Sequence, residues 1–151
     1  MLVAKTDEIK EFCVKHDLEF IDKLETTILT RSSAISKKNK NLLLRVAGGT
    51  DFMKQKNSKL DSFICKTLCE KEKKVFIDLN ELFDSKTKTT CIQRIKQNLR
   101  LLKKYKVDYE LVYFCDSIDK IISNNDILAL KRILEIENTN KSITQLNKKS
   151  L

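Results

Sequence analysis

The sequence has no proline, no tryptophan, two glycines and one histidine among its 151 residues. So little glycine and proline excludes collagen-like, proline-rich and flexible-linker classes. A single histidine, His16, excludes metal sites built on several imidazoles, and any nucleophile–imidazole–acid triad would depend on that residue alone. Following a predicted helix and preceding Asp17, His16 reads as an exposed helix-end residue. The glycine-rich loops that cradle nucleotide phosphates, Gly-x-Gly-x-x-Gly and Gly-Lys-Ser/Thr, do not occur. No apolar run approaches the ~20 residues of a membrane helix, and the Met1 end lacks the pattern of a secretory signal. The expectation is an intracellular protein with no membrane partner.

What is present is charge and a core. Thirty Lys and Arg stand against 21 Asp and Glu, a formal net charge of +9, with 41% hydrophobic residues. The charged fraction, 34%, exceeds the roughly 25% of ordinary soluble domains. The chain reads as one strongly basic domain over residues 1–137 with a C-terminal tail over 138–151. Cys13, Cys65, Cys69, Cys91 and Cys115 are an odd set, mostly within apolar stretches, and read as buried free thiols. A metal site on Cys65 and Cys69 would need two more ligands, so no metal and no cofactor is expected.

Hydrophobic spacing orders the elements. Met1–Ala4 reads as a strand, and Ile9, Phe12 and Cys13 as a helix running to about Lys15. Leu18–Ile21 and Leu24–Leu29 are β-type runs, and residues 32–40 a lysine-rich loop or a single exposed helical turn. The unbroken run Leu42–Ala47, closed by Gly48-Gly49, predicts a strand covered on both faces. A helix follows over Leu60–Glu72, a strand over Val75–Leu79, the longest helix over Thr89–Tyr105 and a strand over Val107–Phe114. Ile118–Ile122 and Ile127–Ile136 read as helical, with Ser123–Asp126 as a cap, and beyond Asn138 the pattern fades into a tail with Ile143 and Leu146 as docking points. Strands alternating with helices predict an α/β domain with a mainly parallel sheet and outer helices.

Candidate chemistry is sparse. Asp78 and Asp116 fall at the carboxyl ends of strands, where α/β proteins hold ligands. A small metal-dependent phosphoesterase built on these two carboxylates is the enzymatic alternative, and a basic protein-interaction module the blander one. The 97–106 stretch is more informative. On a helix, Ile95, Leu99 and Leu102 share one side while Lys96, Arg100 and Lys103 or Lys104 share the other, continued by Lys106 and flanked by Tyr105. Such a ridge fits a polyanion, because neutralising phosphates releases counterions without reading base identity. Lys37, Lys38, Lys40 and Arg45 bracket a strand start, while Lys71, Lys73 and Lys74 close a helix and complement its dipole.

The order of these segments resembles a known family. Arg45-Val46-Ala47-Gly48-Gly49, Leu60-Asp61 opening a helix, Val75-Phe76-Ile77-Asp78-Leu79-Asn80-Glu81-Leu82 and Asn98-Leu99-Arg100-Leu101-Leu102-Lys103-Lys104-Tyr105-Lys106-Val107 are similar to ribonuclease P protein component 3, whose eukaryotic counterpart is the thirty-kilodalton subunit of ribonucleases P and MRP. The likeness spans roughly Leu42–Ile136 and is most specific over Val75–Val107. It implies a TIM-barrel-like fold, and because a full barrel takes about 250 residues, a reduced or incomplete one. It also implies a non-catalytic RNA-binding scaffold of the ribonucleoprotein that removes 5′ leaders from precursor transfer RNA, with cleavage performed by the RNA. Implied partners are the RNase P RNA, precursor tRNA and sibling proteins, above all a small subunit with an RNA-recognition-like fold. The implied location is the nucleus or nucleolus in a eukaryote and the cytoplasm in an archaeon. Arg45, Arg94, Lys96, Arg100, Lys103 and Lys104 are the expected RNA contacts, with no catalytic residue.

Overall fold

The computed structural model describes residues 2–21, 25–29, 35, 40–48, 51, 57–83, 86–136 and 143–147. Among these residues are four α-helices, α1 (Leu2–Lys15), α2 (Ser62–Glu70), α3 (Lys88–Lys104) and α4 (Asn124–Ile133), and six strands, β1 (Phe20–Ile21), β2 (Thr27–Ile28), β3 (Asn41–Leu44), β4 (Lys74–Asp78), β5 (Asp108–Cys115) and β6 (Ile143–Asn147), with helices and strands alternating from β3 onward. The six strands form one sheet in the order β1-β6-β5-β4-β3-β2, and every neighbouring pair is parallel. The protein is therefore an α/β domain on a parallel sheet. β1 and β2, consecutive in the chain, are the two ends of the sheet.

The two faces of the sheet differ. On one, Leu42, Leu44, Val75, Ile77, Leu111 and Ile143 meet Ile9 and Cys13 of α1, Cys65 and Leu68 of α2, and Ile95, Leu99 and Leu102 of α3. Ile127 and Leu130 of α4 pack against the same cluster, so all four helices lie on this face. The opposite face buries Leu43, Phe76, Val112, Phe114 and Leu146, with Ile21 packed against them, and each of these comes from a strand. Burial on both faces explains why β3 reads as three consecutive leucines: alternate residues point opposite ways, and neither direction meets water. At the amino end of the helix-free face the lining turns polar. Lys74 pairs with Glu110 at 2.8 Å, and Thr144 bonds both Glu110 and Glu19.

Local chemistry sets the helix ends. Asp61 caps α2 by accepting from the Ile64 N–H at 2.7 Å. Ser123 does the same for α4 from the Asp126 N–H, and its hydroxyl returns a bond to the Asp126 carboxylate, satisfying first-turn donors. All four helices close in the same way. Asp17, Glu72, Lys106 and Glu135 take φ of 54°, 48°, 56° and 59°, and the N–H of the next residue reaches back to the carbonyls of Cys13, Leu68, Leu102 and Lys131. This is the Schellman closure, which normally uses glycine at the left-handed position. With only two glycines in the chain, charged residues fill all four.

Two expectations are corrected. Met1–Ala4 does not supply a strand: α1 already starts at Leu2 and runs through Thr6 and Asp7. A four-residue apolar run has no periodicity of its own, and extending a helix costs less than nucleating a separate element. Beyond Asn138 the expected docking points Ile143 and Leu146 are buried, but they belong to more than a docked tail. Ile143–Asn147 is β6, an internal strand between β5 and β1, so the boundary at 137/138 does not detach a tail from the domain. Local sequence marks the two apolar anchors but not the strand, because partners on both sides create it. The helical segment expected at Ile118–Ile122 is a short 3-10 helix over Ile118–Lys120. The loop expected over residues 32–40, with Lys37 and Lys38, lies outside the described residues apart from Ile35 and Lys40, as does Gly49.

Candidate nucleic-acid interface

α3 positions most of the expected contacts. Its buried face carries Cys91, Ile95, Leu99 and Leu102, which anchors the helix on the sheet and turns Lys96, Arg100, Lys103 and Lys104 away from it. At 1.5 Å per residue, its 17 residues span about 25 Å. The helix leads from the carboxyl end of β4 to the amino end of β5.

The six predicted residues do not converge on one site. Arg45 follows β3 at the carboxyl end of the sheet, where its Nε donates to Asp78 Oδ2 at 3.1 Å. Asp78 is buried, its Oδ1 accepts from the Asn80 N–H at 2.9 Å, and burial pushes its carboxyl above the usual 3.8 against the pull of that bond and of Arg45. Arg94 is turned inward, with only 5% of its side chain exposed. It donates to the carbonyls of Val46 at 2.7 Å and Gly48 at 3.1 Å, and to Asp51 at 2.8 Å. Its guanidinium thus braces the turn after β3, which turns this expected RNA contact inward: at the helical angle of residue 94, the side chain faces the β3–α2 connection. Lys96 and Arg100 share the carboxylate of Glu135, whose pKa is lowered first by the Lys96 hydrogen bond. Lys103 and Lys104 are exposed on the last turn, and Lys104 Nζ lies 5.6 Å from the ring centre of Tyr105.

The alternative carboxylates also have partners. Asp116 accepts from Lys120 Nζ at 2.7 Å and from Ser117, while Asp78 holds Arg45. Among the described residues, no three His, Cys, Asp or Glu side chains group as a metal site. Cys13, Cys65, Cys91 and Cys115 are buried and Cys69 exposed, all as free thiols, and burial pushes the Cys65 and Cys115 thiols up to about 11. His16 is exposed at the end of α1 and stacks near Phe12. No described helix is long and apolar enough to cross a membrane.

Two residues that sequence reasoning passed over organise the carboxyl end. Asn80 clamps β5 by donating to the Phe114 carbonyl at 2.8 Å and accepting from the Phe114 N–H at 2.7 Å. Glu81 accepts from the N–H groups of Val46 and Ala47 at 2.6 and 2.7 Å. The signal for both was the dense polar run Asp78-x-Asn80-Glu81 directly after an apolar strand. No family model matches the sequence, and no curated protein matches it.

Proposed function

We propose that this chain is a non-catalytic RNA-binding and scaffolding subunit of ribonuclease P, and of ribonuclease MRP where that enzyme exists, built on a reduced TIM-barrel-like fold. Four features favour the barrel. The strand order follows the chain around the sheet, with β1 and β2 at its ends. All neighbouring strands are parallel, and the helices occupy one face only. Among the described residues, the other face is buried by strand side chains alone, as happens when a sheet curls around its own interior. The likeness over Val75–Val107 adds the family.

For RNA binding, the observation that carries the reading is the end of α3, where Lys103 and Lys104 stand exposed on a chain of net charge +9. In this reading the RNA subunit cleaves, and the protein holds that RNA, precursor tRNA and the small RNA-recognition-like sibling, in the nucleus or nucleolus of a eukaryote or the cytoplasm of an archaeon. Native purification of the tagged protein from its own cells, followed by sequencing of bound RNA, tests it. One dominant structured RNA, in particles that remove 5′ leaders from precursor tRNA, is the expected result. Divalent-ion-dependent cleavage by the isolated chain, lost in Asp78→Asn, would replace it with the phosphoesterase reading.

A further inference from the structure

We infer that the RNA-binding surface is a lysine rim at the amino end of the sheet, formed by the α2–β4 and α3–β5 turns with Lys40, and that its ligand is the phosphodiester backbone of RNA. This deepens the function proposed above and rests on it.

The two turns, residues 70–74 and 103–108, sit side by side because β4 and β5 pair, with Lys74 opposite Asp108. They share a cleft of about 220 Å³ lined from both sides by Glu72, Lys73, Lys74, Lys106 and Asp108. The Lys40 carbonyl accepts from the Lys74 N–H at 2.9 Å, which places Lys40 on the same rim. Together the two turns and Lys40 carry seven lysines against three acids.

Pairing then separates these cations from the others. Arg45, Arg94, Lys96, Arg100 and Lys120 each have a carboxylate within salt-bridge distance. On the rim, Lys74 is taken by Glu110 and Asp108. Lys40, Lys71, Lys103, Lys104 and Lys106 are exposed, and none forms an ion pair with a described residue. A lysine without a carboxylate partner can take up a phosphate and release its counterion without breaking an internal pair.

The opposite end of the sheet offers no comparable patch among the described residues. Among the described residues of 45–61, 78–87 and 116–126, seven acids stand against four cations. Asp17, Glu19, Glu25 and Glu135 also lie at the amino end, so a polyanion is drawn to the two lysine turns and Lys40 and not to that end as a whole, while the described carboxyl end, where α/β enzymes place their chemistry, disfavours it. Helix dipoles alone do not account for the rim, since Lys40 lies outside any helix and precedes a strand.

The test compares two variants of equal charge change in the full chain, using a fluorescein-labelled oligouridylate as probe and far-UV circular dichroism to check folding. The rim variant carries Lys71→Gln, Lys103→Gln and Lys106→Gln. The opposite-end variant carries Lys86→Gln, Lys88→Gln and Lys120→Gln. With a slope of roughly 0.7 per neutralised phosphate on a single strand, the plot of log K against log salt should become shallower by about 2 in the rim variant and stay unchanged in the other. An unchanged slope in the rim variant, or equal flattening in both, overturns the assignment to this surface while leaving RNA binding intact. Failure of the unmodified protein to bind overturns it together with the functional reading.

Discussion

Replacing Arg94 by alanine separates bracing of the fold from contact with RNA. The guanidinium is almost wholly buried and donates three hydrogen bonds to described residues, the Val46 and Gly48 carbonyls and Asp51. Bonds to a charged group are worth about 1.5–3 kcal/mol each when cut singly. The three are not additive, because truncation also removes the cost of holding a cation away from water. Breaking one side of a buried ion pair typically costs about 3–5 kcal/mol. Asp51 keeps 34% of its side chain exposed and can resolvate, whereas Val46 is buried and its carbonyl loses a partner that water cannot readily replace. The lower end, about 3 kcal/mol, therefore applies, and for a chain of this size it corresponds to a fall in Tm of roughly 10 °C. Urea unfolding followed by far-UV circular dichroism measures the loss, with an unchanged m-value as the check that the folded state is intact. Arg94→Lys keeps the charge but not the planar fork and should lose less, about 2 kcal/mol. In both variants the folded protein should keep the salt slope of its RNA binding. A stability loss below about 1 kcal/mol together with a shallower slope would refute the bracing role and restore Arg94 to the interface.

Three further perturbations address other parts of the structure. Phe76→Ala removes a ring that is 3% exposed within the strand-only cluster; unfolding should become easier by about 3–5 kcal/mol, and a loss under about 1 kcal/mol would mean that this face is open to water. Burial raises the Asp78 carboxyl above 3.8, so between 3.8 and its higher folded value the native state binds more protons than the unfolded chain, and stability falls as pH rises through that window. The stability difference between the unmodified protein and Asp78→Asn should therefore shift against the unmodified protein across that interval; a shift in its favour contradicts the sign. Glu135→Gln releases Lys96 and Arg100 from their shared carboxylate; with RNA held on the lysine rim, the salt slope for oligouridylate should stay unchanged, and a steepening by about 1.4 would extend the binding surface to the outer face of α3.

Much of the scaffold was legible because it depends on local pattern. The leucine run of β3, the Val75–Leu79 strand and the 3.6-residue stripe of α3 each encode their own burial. Asp61 and Ser123 encode helix starts through side chains that reach donors three residues away. The basic character of the chain needs only counting. In β6 only the docking points Ile143 and Leu146 were legible, and the strand itself was not, because its hydrogen-bond partners, β5 and β1, lie far away in the chain, Leu111–Cys115 before it and Phe20–Ile21 near the chain's start.

The candidate interface divides along the same line. The sequence by itself determined that cations are in excess and that α3 turns an apolar stripe inward and a charged stripe outward, since composition and helical spacing require nothing beyond the chain's order. Tertiary structure alone decided which cations have partners. Asp51, Asp78 and Glu135 reach Arg94, Arg45 and the Lys96–Arg100 pair across separations of 33 to 43 residues, and side-chain charge is compensated by proximity in space. The lysines of two sequence-distant turns become neighbours only when β4 and β5 pair, because parallel strands bring the ends of their preceding helices to the same edge of the sheet.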